Sequence, residues 1–141
     1  MSSRVFRIVF GLYAALIVAT VVAANLGGTN VVFGVVADVP YGDKLGHFLL
    51  MGVLAMLADL AARHHERRFL GLRVPTAPAV VLVLVFAEEL SQLLMATRTF
   101  DLVDFAADVL GVIVFVSLAR IVAARMGPCD SGGRPRSARR S

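Results

Sequence analysis

The chain has 141 residues, so the length alone argues for one domain. It is 58% hydrophobic and only 17% charged, where soluble domains carry about 25% charged residues, and so small a globule could not hide that apolar surplus. The formal charge of +4 does not indicate a nucleic-acid binder, because the cations lie in short clusters between apolar runs, where they read as membrane-topology signals.

Met1 to Arg7 is a short basic lead with Arg4 and Arg7, and no charge then occurs from Ile8 to Ala37. Ile8 to about Ala24 can cross a bilayer as a helix. A cleaved signal peptide is the rival reading, with Ala23-Ala24 as a small-residue site, but the apolar run exceeds the ~7–15 residues of a signal core. Asn25 to Asp43 is broken by Gly27-Gly28, Gly34, Pro40 and Gly42, which are loop signals. Within it Val31 to Val36 is apolar but too short to span, and is expected at the interface.

Lys44 to about Ala62 is the second expected span. Arg63 to Arg73 is a basic loop. Val74 to about Ala96 is the third span, with Pro75 and Pro78 in its first turn, where proline costs a helix little. Thr97 to Asp101 is a tight connection, and Leu102 to about Ala124 is the fourth span. From Met126 onward Gly, Pro, Ser and Arg dominate, the composition of a disordered tail. Cys129 is the single cysteine, so no internal disulfide can form. Of the 14 Lys and Arg residues, only Lys44 and Arg98 fall on one side of this arrangement, and the positive-inside rule places the larger group in the cytoplasm.

The expected architecture is therefore all-α. It is a polytopic four-helix bundle over residues 1–125, with spans at about 8–24, 44–62, 74–96 and 102–124. Both termini are cytoplasmic, residues 126–141 form a disordered basic cytoplasmic tail, and the chain sits in the cell membrane with the lipid bilayer as its first partner.

The polar residues gather at the outer ends of spans two to four. Asp43 and His47 are four apart, so they share a helical face if the helix starts by Asp43. Glu89 and Gln92 are three apart near the end of span three. Asp101, Asp104, Asp108 and Gly111 form one stripe along span four. His47, Glu89 and Asp108 each lie roughly 5–10 Å below the outer end of their helices, at 1.5 Å per residue. Facing lipid would cost ~2.5 kcal/mol or more for a charged side chain near a helix centre, which turns these stripes inward. Asp43, Glu88, Glu89, Asp101, Asp104 and Asp108 outnumber Lys44 and Arg98, and crowded like charges in a low dielectric cannot all stay ionised. Carboxyls that hold protons beside an imidazole are suited to proton transfer. The plain alternative is a structural network in which Lys44 and Arg98 neutralise acids and Gln92 bridges helices.

Other features read as structural. Asp59 stands four before Arg63 and is expected to form a local pair with it. His64-His65-Glu66 fails the zinc-protease pattern, because Phe69 stands where the second His is needed, and reads as a solvated loop. Gly46, Gly52, Ala55 and Gly111 are expected helix-contact positions.

In these residues the chain resembles the VanZ-like family of small bacterial membrane proteins. That family opens one helix with D-K-x-x-H, closes another with E-x-x-Q, then has an Arg, and opens a last helix with D-x-x-x-N-x-x-G. Asp43, Lys44 and His47 match the first block, Glu89 and Gln92 the second, Arg98 the lone Arg, and Asp104 and Gly111 the last. The resemblance covers about Asp43 to Phe115. Asp108 departs from it, standing where the family has Asn, and Met51 stands where an aromatic often follows the His. The resemblance implies a cell-envelope role, with a namesake linked to low-level teicoplanin resistance, and it supplies no reaction.

The functional expectation is a site acting on or binding an anionic, lipid-linked envelope precursor or glycopeptide-related ligand at the outer leaflet. His47, Glu89, Asp104 and Asp43 are the candidate catalytic residues, with His47 as base beside Asp43 or Asp104 and Glu89 as acid. Lys44, Arg98, Gln92 and Asp108 are the candidate ligand-binding residues. Lys44 and Arg98 would hold phosphate or carboxylate, and Gln92 and Asp108 would orient the others. The cofactor is unassigned, with a divalent metal on His47, Glu89, Asp104 and Asp108 as an open alternative. A non-enzymatic partner that docks another envelope protein is the second reading. A proton or ion path is the third, disfavoured because span one carries no ionisable charge from Ile8 to Ala24.

Overall fold

A computed structural model describes residues 3–25, 41–92 and 101–126. The chain is mostly helical. Helix α1 is Ser3–Asn25, α2 is Gly42–Ala61, α3 is Thr76–Gln92 and α4 is Leu102–Met126, with strands β1 (Glu66–Phe69) and β2 (Leu72–Pro75) between α2 and α3. Three of the helices, over Arg4–Ala23, Gly42–Ala61 and Leu102–Arg125, are long and apolar enough to cross a membrane. The expected interfacial segment Val31–Val36, the connection holding Arg98, the last residues of span three and the basic tail lie outside the described residues.

Helix α2 is the hub. It packs against α1, α3 and most extensively α4. Helices α2 and α4 start at the same end, since Lys44 near the start of α2 meets Asp101 and Asp104 at the start of α4. They stay in one register along their length: His47 meets Asp108 and Asp59 meets Arg120, each pair 61 residues apart. Glycine makes this close approach feasible. A Cβ on Gly52 would stand 2.6 Å from the Phe115 ring and 2.9 Å from the Gly111 carbonyl oxygen, and a Cβ on Gly111 would collide with the Phe48 backbone. Small residues at such crossings let backbones approach and gain dispersion contact that lipid cannot match. Phe48 and Phe115 meet edge-on beside the glycines, with ring centroids 5.7 Å apart. Gly46, also expected at a contact, is not at one: a Cβ there would meet nothing.

The core is built of small and β-branched residues, Ala55 and Ala58 from α2, Val81 and Val85 from α3, and Val112 and Val116 from α4. Outside it the helices expose Ile8, Leu12 and Leu16 on α1, Val83 and Leu84 on α3, and Ile113 and Leu118 on α4. Apolar side chains that face outward along whole helices have lipid as their natural solvent.

Two expectations change between α2 and α3. The basic loop is a hairpin, with Glu66 opposite Pro75, Arg67 opposite Val74, Arg68 opposite Arg73 and Phe69 opposite Leu72. Its two-residue turn, Leu70-Gly71, has φ of 50° and 82°, the doubly left-handed turn that matches strand twist. Val74 and Pro75 therefore belong to β2, and α3 begins at Thr76, with Pro78 but not Pro75 in its first turn. Pro75 is tolerated as the last ladder position, where a missing N–H costs little.

Candidate functional site

Helices α3 and α4 each carry one buried row, and each row ends in an acid. On α3 the row is Pro78, Val81, Val85 and Glu89, so Glu89 is turned inward by the same spacing that buries the valines. On α4 the row is Asp104, Asp108, Val112 and Val116. Helix α2 begins at Gly42, with Tyr41 left-handed before it and Asp43 in the first turn, where an acid favours the positive end of the helix. Asp43 and His47 thus share a face, as the spacing required.

The structure brings His47, Glu89 and Asp108 into one group, with one donor atom from each lying within 4.8 Å of the others. Asp43, His47 and Asp104 form a second group on the same criterion, so His47 belongs to both. Glu89 is 2% exposed, Asp108 0% and Asp104 9%. His47 Nδ1 faces both oxygens of Asp108, at 3.2 and 3.3 Å. Asp43 is exposed at the rim. No hydrogen bond reaches the Glu89 carboxyl among the described residues.

Lys44 is held. Its ammonium donates to Asp104 at 2.7 Å and to Asp101 at 2.9 Å. Asp101 also caps α4: its Oδ1 accepts the Val103 N–H at 2.8 Å, and its carbonyl accepts from the N–H groups of Asp104 and Phe105. The Lys44 ammonium, and after it the Val103 N–H, hold the Asp101 carboxyl below the usual carboxylate range. An ammonium between two carboxylates has little attraction left for a third anion. Lys44 therefore ties α2 to the start of α4, and the anion-holding role expected of it needs Asp101 or Asp104 to let go. Arg98 lies outside the described residues, as does the side chain of Gln92.

A second polar layer lies at the other end of the same helix pair. Asp59, fully buried, does not pair with Arg63. Its two oxygens accept Arg120 Nη2 at 2.7 Å and Arg120 Nε at 3.0 Å, and Oδ2 also accepts His64 Nδ1 at 2.7 Å. Arg120 reaches on to Glu66 of the hairpin. Arg63 instead ends the helix. It is left-handed, with φ of 57°, its N–H bonds the Leu60 carbonyl, and the next N–H, of His64, bonds the Asp59 carbonyl. That is a Schellman closure, in which the usual apolar contact across the cap is replaced by the His64–Asp59 pair. No short spacing in the sequence signals this layer. The 61-residue offset that pairs His47 with Asp108 also pairs Asp59 with Arg120, but only packed coordinates reveal the offset.

Chemically, the two layers differ. At the Asp59 end both Asp59 oxygens have a cationic or imidazole partner, the mark of a structural clamp. At the His47 end, among the described residues, a buried Glu89 and a loosely held His47–Asp108 pair leave capacity for a further ligand. No protein-family model, curated protein or solved structure matches this chain.

Proposed function

We propose that the chain is a VanZ-like, multi-pass protein of the cell membrane. Four spans carry both termini on the cytoplasmic side, and the polar pocket of His47, Glu89, Asp104 and Asp108 lies just beneath the outer face. In this reading α3 is the remaining span, with its 17 described residues reaching about 25 Å at 1.5 Å per residue. The pocket works on an anionic, lipid-linked envelope precursor. His47, oriented by Asp108, is the proton acceptor, Glu89 is the proton donor, and Arg98 steers the anionic group, joined by Lys44 only when Asp101 or Asp104 releases it.

The observation that carries this reading is the meeting of three helices' ionisable side chains in one buried cluster. Ionisable groups at membrane depth are expensive and mark functional sites by default. The apolar middle argues against a proton or ion path: residues 48–58 of α2 and 109–119 of α4 contain no charged side chain. About 18 Å of helix separates His47 from Asp59 without a relay between them.

Glu89→Gln and His47→Gln test the reading in cells that depend on the protein for teicoplanin tolerance or for turnover of lipid-linked precursors. Both variants are expected to stay in the membrane at normal abundance and to lose the phenotype. Normal phenotype in both sinks the acid–base scheme. Loss of abundance in step with phenotype would instead favour an assembly partner held together by its acids.

A further inference from the structure

We infer that His47, Glu89 and Asp108 form a binding site for one divalent transition-metal ion, of the zinc or manganese type. The inference rests on the same pocket as the reading above but changes its chemistry: with the ion bound, His47 and Glu89 serve as ligands rather than as proton acceptor and donor, and the ion supplies the cation that an acid-rich pocket needs before it can accept an anionic group.

Three observations lead to the ion. The first is Glu89, a carboxyl 2% exposed, aimed into the cluster and without a hydrogen-bond partner among the described residues. Burying a carboxylate is costly unless a cation or donor stands beside it, and an ion held jointly with His47 and Asp108 would be such a partner. The second is the spacing of His47 and Asp108. A charge-assisted N–H···O contact closes to about 2.7–2.9 Å, and the molecule shows this at its other end, where His64 and Asp59 stand 2.7 Å apart. His47 Nδ1 instead stands 3.2 and 3.3 Å from two oxygens at once. Two donors bonded to one ion at about 2.0–2.2 Å in a tetrahedron stand ~3.3–3.5 Å apart, so an ion fits between these groups with little movement of either, in place of the long, shared hydrogen bond. The third is charge. Among the described residues, Lys44 is committed to Asp101 and Asp104, and no lysine or arginine reaches Glu89 or Asp108.

The donor set selects the ion class. One imidazole with two carboxylates suits a borderline divalent ion, whereas calcium and magnesium favour all-oxygen shells. Three protein donors leave a coordination position open, as in catalytic rather than structural sites. The Asp43–His47–Asp104 group is the weaker rival, since Asp104 is held by Lys44 and Asp43 lies at the exposed rim. When the ion enters, the proton on His47 Nδ1 leaves, to Nε2 if that nitrogen is bare and otherwise to solvent, and the ligand is the neutral imidazole protonated on Nε2.

Binding is measured on the purified full chain in nanodiscs after chelator treatment, with Zn(II), Mn(II) and Co(II) chlorides as the probes. The site predicts one ion per chain and, for Co(II), visible d–d absorption from bound metal. Glu89→Gln and Asp108→Asn should each weaken affinity by ~100-fold or more, while Glu88→Gln on the same helix changes it little. A wild-type affinity no tighter than that of the Glu89→Gln/Asp108→Asn double variant overturns the site, and this comparison holds even if one single variant folds poorly. Binding together with a normal phenotype for Glu89→Gln would leave the ion site standing and remove the proposed function. Absence of binding together with a lost phenotype would do the reverse.

Discussion

Asp59 shows what a buried acid does when every oxygen is satisfied. Its carboxylate takes a two-pronged hold from Arg120 and a third bond from His64, and Arg120 carries the link on to Glu66. Removing one partner strands the other. Asp59→Met should therefore lower stability by on the order of 2–3 kcal/mol, less than for a fully enclosed pair because the Arg120 side chain is 24% exposed. Replacing both, Asp59→Met with Arg120→Met, should recover most of that loss, since an apolar pair incurs no desolvation cost in this setting. Unfolding of the purified variants in mixed micelles checks the contrast. A double variant no more stable than the single would show that the clamp contributes net stability rather than fixing geometry. Glu89 makes a comparison within the same fold: it is nearly as buried as Asp59, but among the described residues no hydrogen bond reaches its carboxyl, and the proposed chemistry belongs to its layer.

At the scale of elements, the parallel pair α2–α4 depends on two glycines in different ways. Gly111→Ala sets a methyl against the Phe48 backbone, which cannot step aside without moving the helix. Gly52→Ala meets the Phe115 ring, which can turn, but also the Gly111 carbonyl, which cannot. Gly46→Ala meets nothing and gains helix propensity. The expected order is a loss of about 2–3 kcal/mol for Gly111→Ala, about 1–2 for Gly52→Ala, and a gain of up to ~1 for Gly46→Ala. Thermal midpoints in detergent rank the three, and a stabilised Gly111→Ala would refute the packing described. These glycines also show how far the sequence could be read. Gly52 and Gly111 were legible as contacts because they are small residues within apolar spans, and Gly111 also continues the stripe of Asp101, Asp104 and Asp108. Gly46 looked alike, and only the crossing geometry separates it. The hairpin was illegible for a local reason: three arginines and a Leu-Gly turn carry little strand signal, and its four-residue strands leave no room for periodicity.

For the whole molecule, the legible part was the part written in short spacings. Asp43 with His47, and Asp101 with Asp104 and Asp108, declare their faces within one or two turns. The partnership of Asp59 with Arg120 spans 61 residues and declares nothing until α2 and α4 are side by side. The same long-range order bears on orientation. Helices α2 and α4 point the same way, so any bilayer that holds both must place Lys44, Asp101 and Asp104 on one side and Asp59, His64 and Arg120 toward the other. The hairpin's Arg67, Arg68 and Arg73 fall with the second layer, as do Arg4 and Arg7 if α1 runs antiparallel to α2. Arginine near membrane ends selects the cytoplasmic side. An alkaline-phosphatase reporter, active only outside the cytoplasm, should therefore be active when fused after Gly42 or Arg98 and silent after Arg68 or Ser131. Activity after Arg68 would invert the molecule, put the His47 pocket at the inner face and remove the envelope precursor as its ligand. Activity after Ser131 with silence after Arg68 would deny α4 its crossing, and the shared pocket of three helices could not then lie within the bilayer.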